Sequence, residues 1–159
     1  MDFEKLYQDL GTSVTYDIVP GVRSTGVTNG GQKWHCVDDH SKEGCQYERF
    51  TLCAWDQEST LADKVGFLEC MDTPWSDQLT PKKAKSCAQK QGISLDAVTR
   101  CVDGSRGDAL LLAASKKFTT AFPKPVQMPQ TAVNGKPVGA DYDDLKKAAC
   151  DAGAKSSAC

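Results

Sequence analysis

Eight cysteines, Cys36, Cys45, Cys53, Cys70, Cys87, Cys101, Cys150 and Cys159, are spread through a chain of 159 residues, and no two of them form a Cys-x-x-Cys pair. An even set at wide spacing points to structural disulfides and argues against a self-contained dithiol that opens and closes in each turnover. In a reducing cytosol so many thiols would stand exposed or metal-bound, so the count places the chain in an oxidising compartment, secreted or lumenal. The chain opens on charge, Met1-Asp2-Phe3-Glu4-Lys5, without the apolar run of a secretory signal, which suggests a mature or trimmed form. The longest apolar run, Ala109 to Ala114, is far shorter than the roughly 20 residues that span a bilayer, so no membrane span is expected. The formal net charge is -2, and the lysines and arginines are dispersed rather than interleaved with aromatics, so a nucleic-acid footprint is absent.

Local signals divide the chain. Phe3, Leu6, Tyr7 and Leu10 recur at helical spacing before Gly11, a natural C-terminal cap. Ser13 to Val19 is β-branched and aromatic, ends at Pro20-Gly21, and reads as a buried strand. Gly21 to Lys33 carries four glycines without apolar period and reads as a loop. From Cys45 to Met71 no proline occurs, and the spacing of Tyr47, Phe50, Leu52, Cys53, Leu61, Val65, Leu68 and Cys70 suits one or two long helices. Thr80 offers an N-cap with Pro81 at the first helical position of a Lys-rich helix that stops near Gly92. Ser94 caps a short helix over Leu95 to Val102, and Ser105 caps another whose apolar face is Ala109, Leu110, Leu112, Ala113 and Phe118. Asn134-Gly135 between Thr131-Ala132-Val133 and Lys136-Pro137-Val138 is a strong hairpin signal, because both residues tolerate the positive φ of a type I′ turn. Asp141 then caps a last helix that reaches Cys150. The order is helix, strand, helical block, hairpin, helix.

The run from Cys36 to Cys53, Cys-Val-Asp-Asp-His-Ser-Lys-Glu-Gly-Cys-Gln-Tyr-Glu-Arg-Phe-Thr-Leu-Cys, resembles the signature of the gamma-interferon-inducible lysosomal thiol reductase (GILT) family, in which a Cys-Gln-His-Gly start leads to two further cysteines. Val37 replaces the glutamine, extra residues separate Cys36 from His40, and Glu48 stands at the asparagine position. Cys70, Cys87, the segment Cys101 to Gly107, the segment Pro129 to Lys136, and Cys150 to Cys159 follow the family's order and approximate spacing. The resemblance implies an α/β, thioredoxin-like domain over 1–159, incomplete at its N-terminus, with an inserted helical block over 45–120, braced by disulfides. Family members reduce protein disulfides through a Cys-x-x-Cys at the start of the first helix, and here that strand and dithiol would lie upstream of Met1. Met128-Pro129 matches the cis-proline position whose backbone edge holds an extended substrate, against the alternative of a trans-proline opening an edge strand. A sheet lacking its central strand would leave Thr15, Ile18 and Thr131 to Val133 with unpaired backbone groups, so a protein partner, self-association or the Gly21 to Lys33 segment is expected at that edge.

His35, Cys36, His40 and Cys45 form a cluster of zinc-ligand types, but the Cys-x8-Cys gap is looser than finger or ribbon spacings and no second tight pair exists, so disulfides are expected and no cofactor. Arg106-Gly107-Asp108 is an integrin-type tripeptide at an expected helix start, where a turn-and-cap role explains it. Trp34, Trp55 and Trp75 are expected to be partly buried core. Closure distances select Cys36 with Cys45, Cys70 with Cys87, and Cys150 with Cys159, which leaves Cys53 with Cys101. Two functions of different class remain: a GILT-like reductase whose dithiol lies upstream, and a family member without it, kept as a binding or structural module.

Overall fold

Leu6 and Leu10, one helical turn apart, face Leu145 and Ala149, also one turn apart, and this pairing of apolar stripes organises the two ends of the chain. The computed structural model describes residues 3–28, 31–36, 45–57, 60–72, 80–124 and 129–159. It divides into two units, one formed by Met1–Ile18 with Pro125–Cys159 and the other by Val19–Lys124.

In the first unit, α1 (Phe3–Leu10) packs on α7 (Tyr142–Asp151), and a small antiparallel hairpin, β3 (Thr131–Val133) with β4 (Lys136–Val138), packs on α7. Asn134 (φ 49) and Gly135 (φ 77) form the hairpin turn, with the two positive φ angles that a type I′ turn needs. Gly11, at φ 50, ends α1 as expected. α7 ends in a Schellman turn. Gly153 takes φ 97, its N–H reaches the Cys150 carbonyl at 2.9 Å, and the N–H of Ala154 reaches the Ala149 carbonyl at 3.0 Å.

The strand expected over Ser13 to Val19 does not form. Ser13 closes a 3₁₀ turn (Gly11–Ser13), and Val14 is extended (φ -129, ψ 155). Val14, Tyr16 and Ile18 are half-buried while Thr15 and Asp17 are exposed, so the period of two is real. Tyr16 packs edge-on against Phe3 and Tyr7, but among the described residues no strand pairs with this segment. Side-chain packing against α1 makes the chain extended; only a neighbouring backbone would make it a ladder.

In the second unit the expected Gly21 to Lys33 loop is instead most of an antiparallel hairpin, β1 (Val22–Thr28) with β2 (Gly31–Cys36), Val22 facing Cys36 and the register shifting between Ser24 and Gly26. Val22 is fully buried in one cluster with Cys36, Cys45 and Leu111, and the Ser24 N–H donates to the Ser115 hydroxyl at 2.8 Å, so burial against a helix outweighs the glycine content. The Arg23 guanidinium donates to the carbonyls of Phe122 (2.7 Å) and Lys124 (2.6 Å) and lies over the Phe118 ring.

Five helices follow: α2 (Gln46–Trp55), α3 (Leu61–Asp72), α4 (Thr80–Gln91), α5 (Leu95–Asp103) and α6 (Ser105–Ala121). Thr80 and Pro81 open α4, and Gly92 (φ 70) closes it with a second Schellman turn, the Ile93 N–H reaching the Ala88 carbonyl at 2.9 Å. Ser94 caps α5 by accepting from the Ala97 N–H. Gly104, rather than Ser105, holds the N-cap of α6. The expected apolar face of α6 also shifts. The buried residues are Gly107, Leu111, Ala114, Ser115 and Phe118, while Leu112 is 53% exposed and Ala109 and Ala113 face solvent. Both stripes have helical period; the one that meets α2 and β1 is buried. Phe50, Phe67, Met71, Ala88, Val98 and Val102 surround two of the bridges to form the main core. No helix among the described residues is long and apolar enough to cross a membrane.

Candidate functional site

The chemistry-bearing residues are the cysteines, and secondary structure fixes where each one stands. Cys36 ends β2 and Cys45 begins α2, in the left-handed region at φ 65, and their Cα atoms are 5.4 Å apart in a bridge. Cys53 on α2 is joined to Cys101 on α5 (Cα separation 5.7 Å), and Cys70 on α3 to Cys87 on α4 (5.6 Å). Cys150, in the last turn of α7, is joined to Cys159 (5.4 Å). These are the pairs that closure distances select. None of the eight cysteines is free, so the oxidised protein presents no thiolate nucleophile.

The bridges differ in their surroundings. Cys36, Cys45, Cys53, Cys87 and Cys101 are buried, Cys70 and Cys150 are half-buried, and Cys159 alone is exposed. Around Cys53–Cys101 the packing is tight. Arg49, one turn before Cys53, donates to the Val102 carbonyl at 3.1 Å and pairs with Asp108 at 2.6 Å, clamping the end of α5 to the start of α6. A Cβ on Gly107 would stand 2.7 Å from the Cys101 carbonyl oxygen, so a glycine is required where α6 crosses the end of α5.

The histidine and cysteine cluster does not assemble as a zinc site in this state. His35 is exposed, His40 lies outside the described residues, and Cys36 and Cys45 are bonded to each other. The third group near their sulfurs is Glu48, 3% exposed, with its carboxylate and both sulfurs within 4.8 Å of one another. A bridged sulfur is not a thiolate ligand, so the oxidised trio does not fit a metal.

Pro129 is exposed two residues before β3; Met128, and with it the Met128–Pro129 bond, lies outside the described residues. In the integrin-type tripeptide both charges are already paired: Arg106 reaches the Asp56 carboxylate through two hydrogen bonds, Asp108 meets Arg49, and Gly107 is buried. Trp55 is buried and donates its indole N–H to the Lys64 carbonyl at 2.9 Å, Trp34 is half-buried against the Val22 cluster, and Trp75 lies outside the described residues.

Sequence reasoning missed the Arg49 clamp, the burial of Glu48 beside the Cys36 and Cys45 sulfurs, and a polar seam between α1 and α7. In that seam the Tyr142 hydroxyl donates to Asp9, and the Lys146 ammonium reaches both Asp9 and the Tyr142 oxygen at 3.2 Å. The Tyr142-x-x-x-Lys146 spacing is the signal that puts both groups on one face of α7. The Tyr142 hydrogen bond, then Lys146, holds the Asp9 carboxyl below the usual range, and the Arg106 hydrogen bond does the same for Asp56. Residues 2–91, more than half of the chain, match the family model described as gamma interferon inducible lysosomal thiol reductase (GILT).

Proposed function

Because this chain belongs to the gamma-interferon-inducible lysosomal thiol reductase family, we propose that it is a family protein without a redox dithiol among its own cysteines, acting as a disulfide-braced binding or structural module within a larger assembly. One observation carries this reading: all eight cysteines are paired, and no pair has the vicinal spacing that makes a dithiol easy to cycle. Four disulfides and the family match indicate an oxidising compartment, lumenal or secreted. Within that range we propose secretion, the lysosome or another lumenal compartment.

The fold we propose is thioredoxin-like and incomplete at its N-terminus, a single domain over 1–159 with the helical block over 45–120 inserted. The two-part first unit, whose halves flank Val19–Lys124 in sequence, supports an insertion. By the same reading Met128 and Pro129 face a bound peptide, and a partner chain or a second copy covers the sheet edge at Thr131–Val133. The extended but unladdered segment around Tyr16 supports a missing neighbour.

Insulin reduction with a thiol donor tests the proposal. The chain is expected to add nothing to the donor-only rate; turnover above that rate, lost on mutating one cysteine, refutes it. The family match favours one second reading, a reductase of protein disulfides whose Cys-x-x-Cys is encoded upstream of Met1. The transcript upstream of Met1 separates the two, since only the reductase requires a strand followed by that dithiol.

A further inference from the structure

Among eight bridged cysteines, Cys159 is the only exposed one. After the Schellman turn at Gly153, the tail is tied by the Ser156 hydroxyl, which donates to the Asp9 carbonyl and accepts from the Ala158 N–H at 3.1 Å, by the Cys159 N–H to the Ser156 carbonyl at 3.1 Å, and by the bridge itself. Ser156 also lines an open cavity of about 570 Å³, together with Gln8, Asp9, Thr12, Ser13 and Lys155. Hydroxyl groups and one charge of each sign line this space, and its Lys155 and Ser156 border lies on the same short tail as Cys159, so the tail that carries the exposed cysteine also borders room for a small zwitterionic molecule. In the other three bridges no cysteine is exposed: Cys36 and Cys45 are 2% and 1% exposed, Cys53 0%, Cys101 6% and Cys87 1%, and Cys70, the most open of the six, is half-buried.

Thiol–disulfide exchange needs a thiolate to approach one sulfur in line with the bond that breaks, so access selects both the bridge and the sulfur attacked. We infer that Cys150–Cys159 is a thiol-exchange acceptor site for a low-molecular-weight peptide thiol. The thiolate attacks Sγ of Cys159, a new S–S bond forms there, and the Cys150–Cys159 bond breaks. The electron pair leaves on Sγ of Cys150, which takes up a proton from water. The products are a mixed disulfide at Cys159 and a free thiol at Cys150, one disulfide replacing another with no other oxidant or reductant. The exchange consumes the bridge once per chain, so it is separate from the catalytic turnover tested with insulin.

The test is a timed incubation of the native full chain with reduced glutathione, quenched with iodoacetamide and mapped by mass spectrometry without reduction. The six other cysteines serve as controls in the same molecule. The expected result is a glutathione adduct on Cys159 with alkylated Cys150, at least about tenfold ahead of change at any other cysteine. Adducts that appear first at another bridge, or at all eight cysteines together as global unfolding would give, overturn the inference. So does exchange at Cys159 that a protein dithiol supports and glutathione does not.

Discussion

Replacing Cys53 and Cys101 together by alanine removes the bridge that closes the longest loop, 48 residues, and within it lies Cys70–Cys87 with a separation of 17. Loop-closure entropy for 48 residues gives about 4 kcal/mol. The inner bridge shortens the effective loop to about 31 residues and lowers that figure to about 3.7 kcal/mol. Cys150–Cys159, with a separation of 9, closes a loop worth about 2.6 kcal/mol on the same relation. Packing widens the gap. Cys53 is 0% exposed and Cys101 6%, both in the main core, so deleting two sulfurs there leaves a void that costs a further ~1–2 kcal/mol. Cys159 is exposed and leaves none. The C53A/C101A double variant is therefore expected to lose about 5 kcal/mol, close to twice the loss of C150A/C159A. Urea unfolding followed by far-ultraviolet circular dichroism checks the order, with the slope rising in both variants as the unfolded chain loses a constraint. An equal or larger loss in C150A/C159A would refute both the loop argument and the placement of Cys53–Cys101 in the core.

Three further outcomes are expected. Leu111→Ala should cost about 2–5 kcal/mol, because Leu111 is fully buried, while Leu112→Ala should stay within about 0.5 kcal/mol; parallel urea curves tell which stripe of α6 faces inward. Gly107→Ala should cost about 1–3 kcal/mol, since its Cβ meets backbone oxygen rather than a movable side chain; a variant as stable as the parent would show that α5 and α6 can shift apart. Asp9 and Asp56 have folded pKa values below their ordinary value of 3.8, so their contribution is present above that pH and is lost as the pH falls below it through the folded values. Urea midpoints measured at pH 5 and pH 3 should fall less in a D9N/D56N double variant than in the parent, and an identical fall would remove these two carboxylates from the account.

Much of the framework is legible from residues alone because its causes are local. Asn134-Gly135, the cap at Ser94, the Thr80-Pro81 helix start, and the stops at Gly92 and Gly11 act within a few residues, and Asn134, Gly135, Gly92 and Gly11 take the positive φ expected of them. Three disulfide pairs follow from short closure and the fourth from what remains. The failures are of another kind. Ser13 to Val19 has strand composition, but a strand is made by its neighbour, and among the described residues it has none. Gly21 to Lys33 looked too glycine-rich for a sheet, although Asn29-Gly30 is the same dipeptide that marks the later hairpin and stands between β1 and β2 in sequence. Leu111 and Leu112 are equally apolar; only the position of α2 and β1 decides between them. Arg49, clamping Val102 and Asp108, lies more than fifty residues from either partner, a distance that periodicity does not see.

Arg23 stands near the start of the second unit, and the two carbonyls it holds, those of Phe122 and Lys124, stand at its end. A single guanidinium thus brings together the points where about a hundred residues of chain enter and leave. A segment whose entry and exit adjoin behaves as a cassette: it can be gained, lost or replaced by a short linker at one place in a host chain. Its five helices and three internal bridges travel with it, since Cys36, Cys45, Cys53, Cys70, Cys87 and Cys101 find all their partners inside. The remaining bridge, Cys150–Cys159, lies wholly within the first unit. Oxidative folding of the two parts therefore requires no cross-pairing, and a mispaired cysteine that links them marks a misfolded molecule.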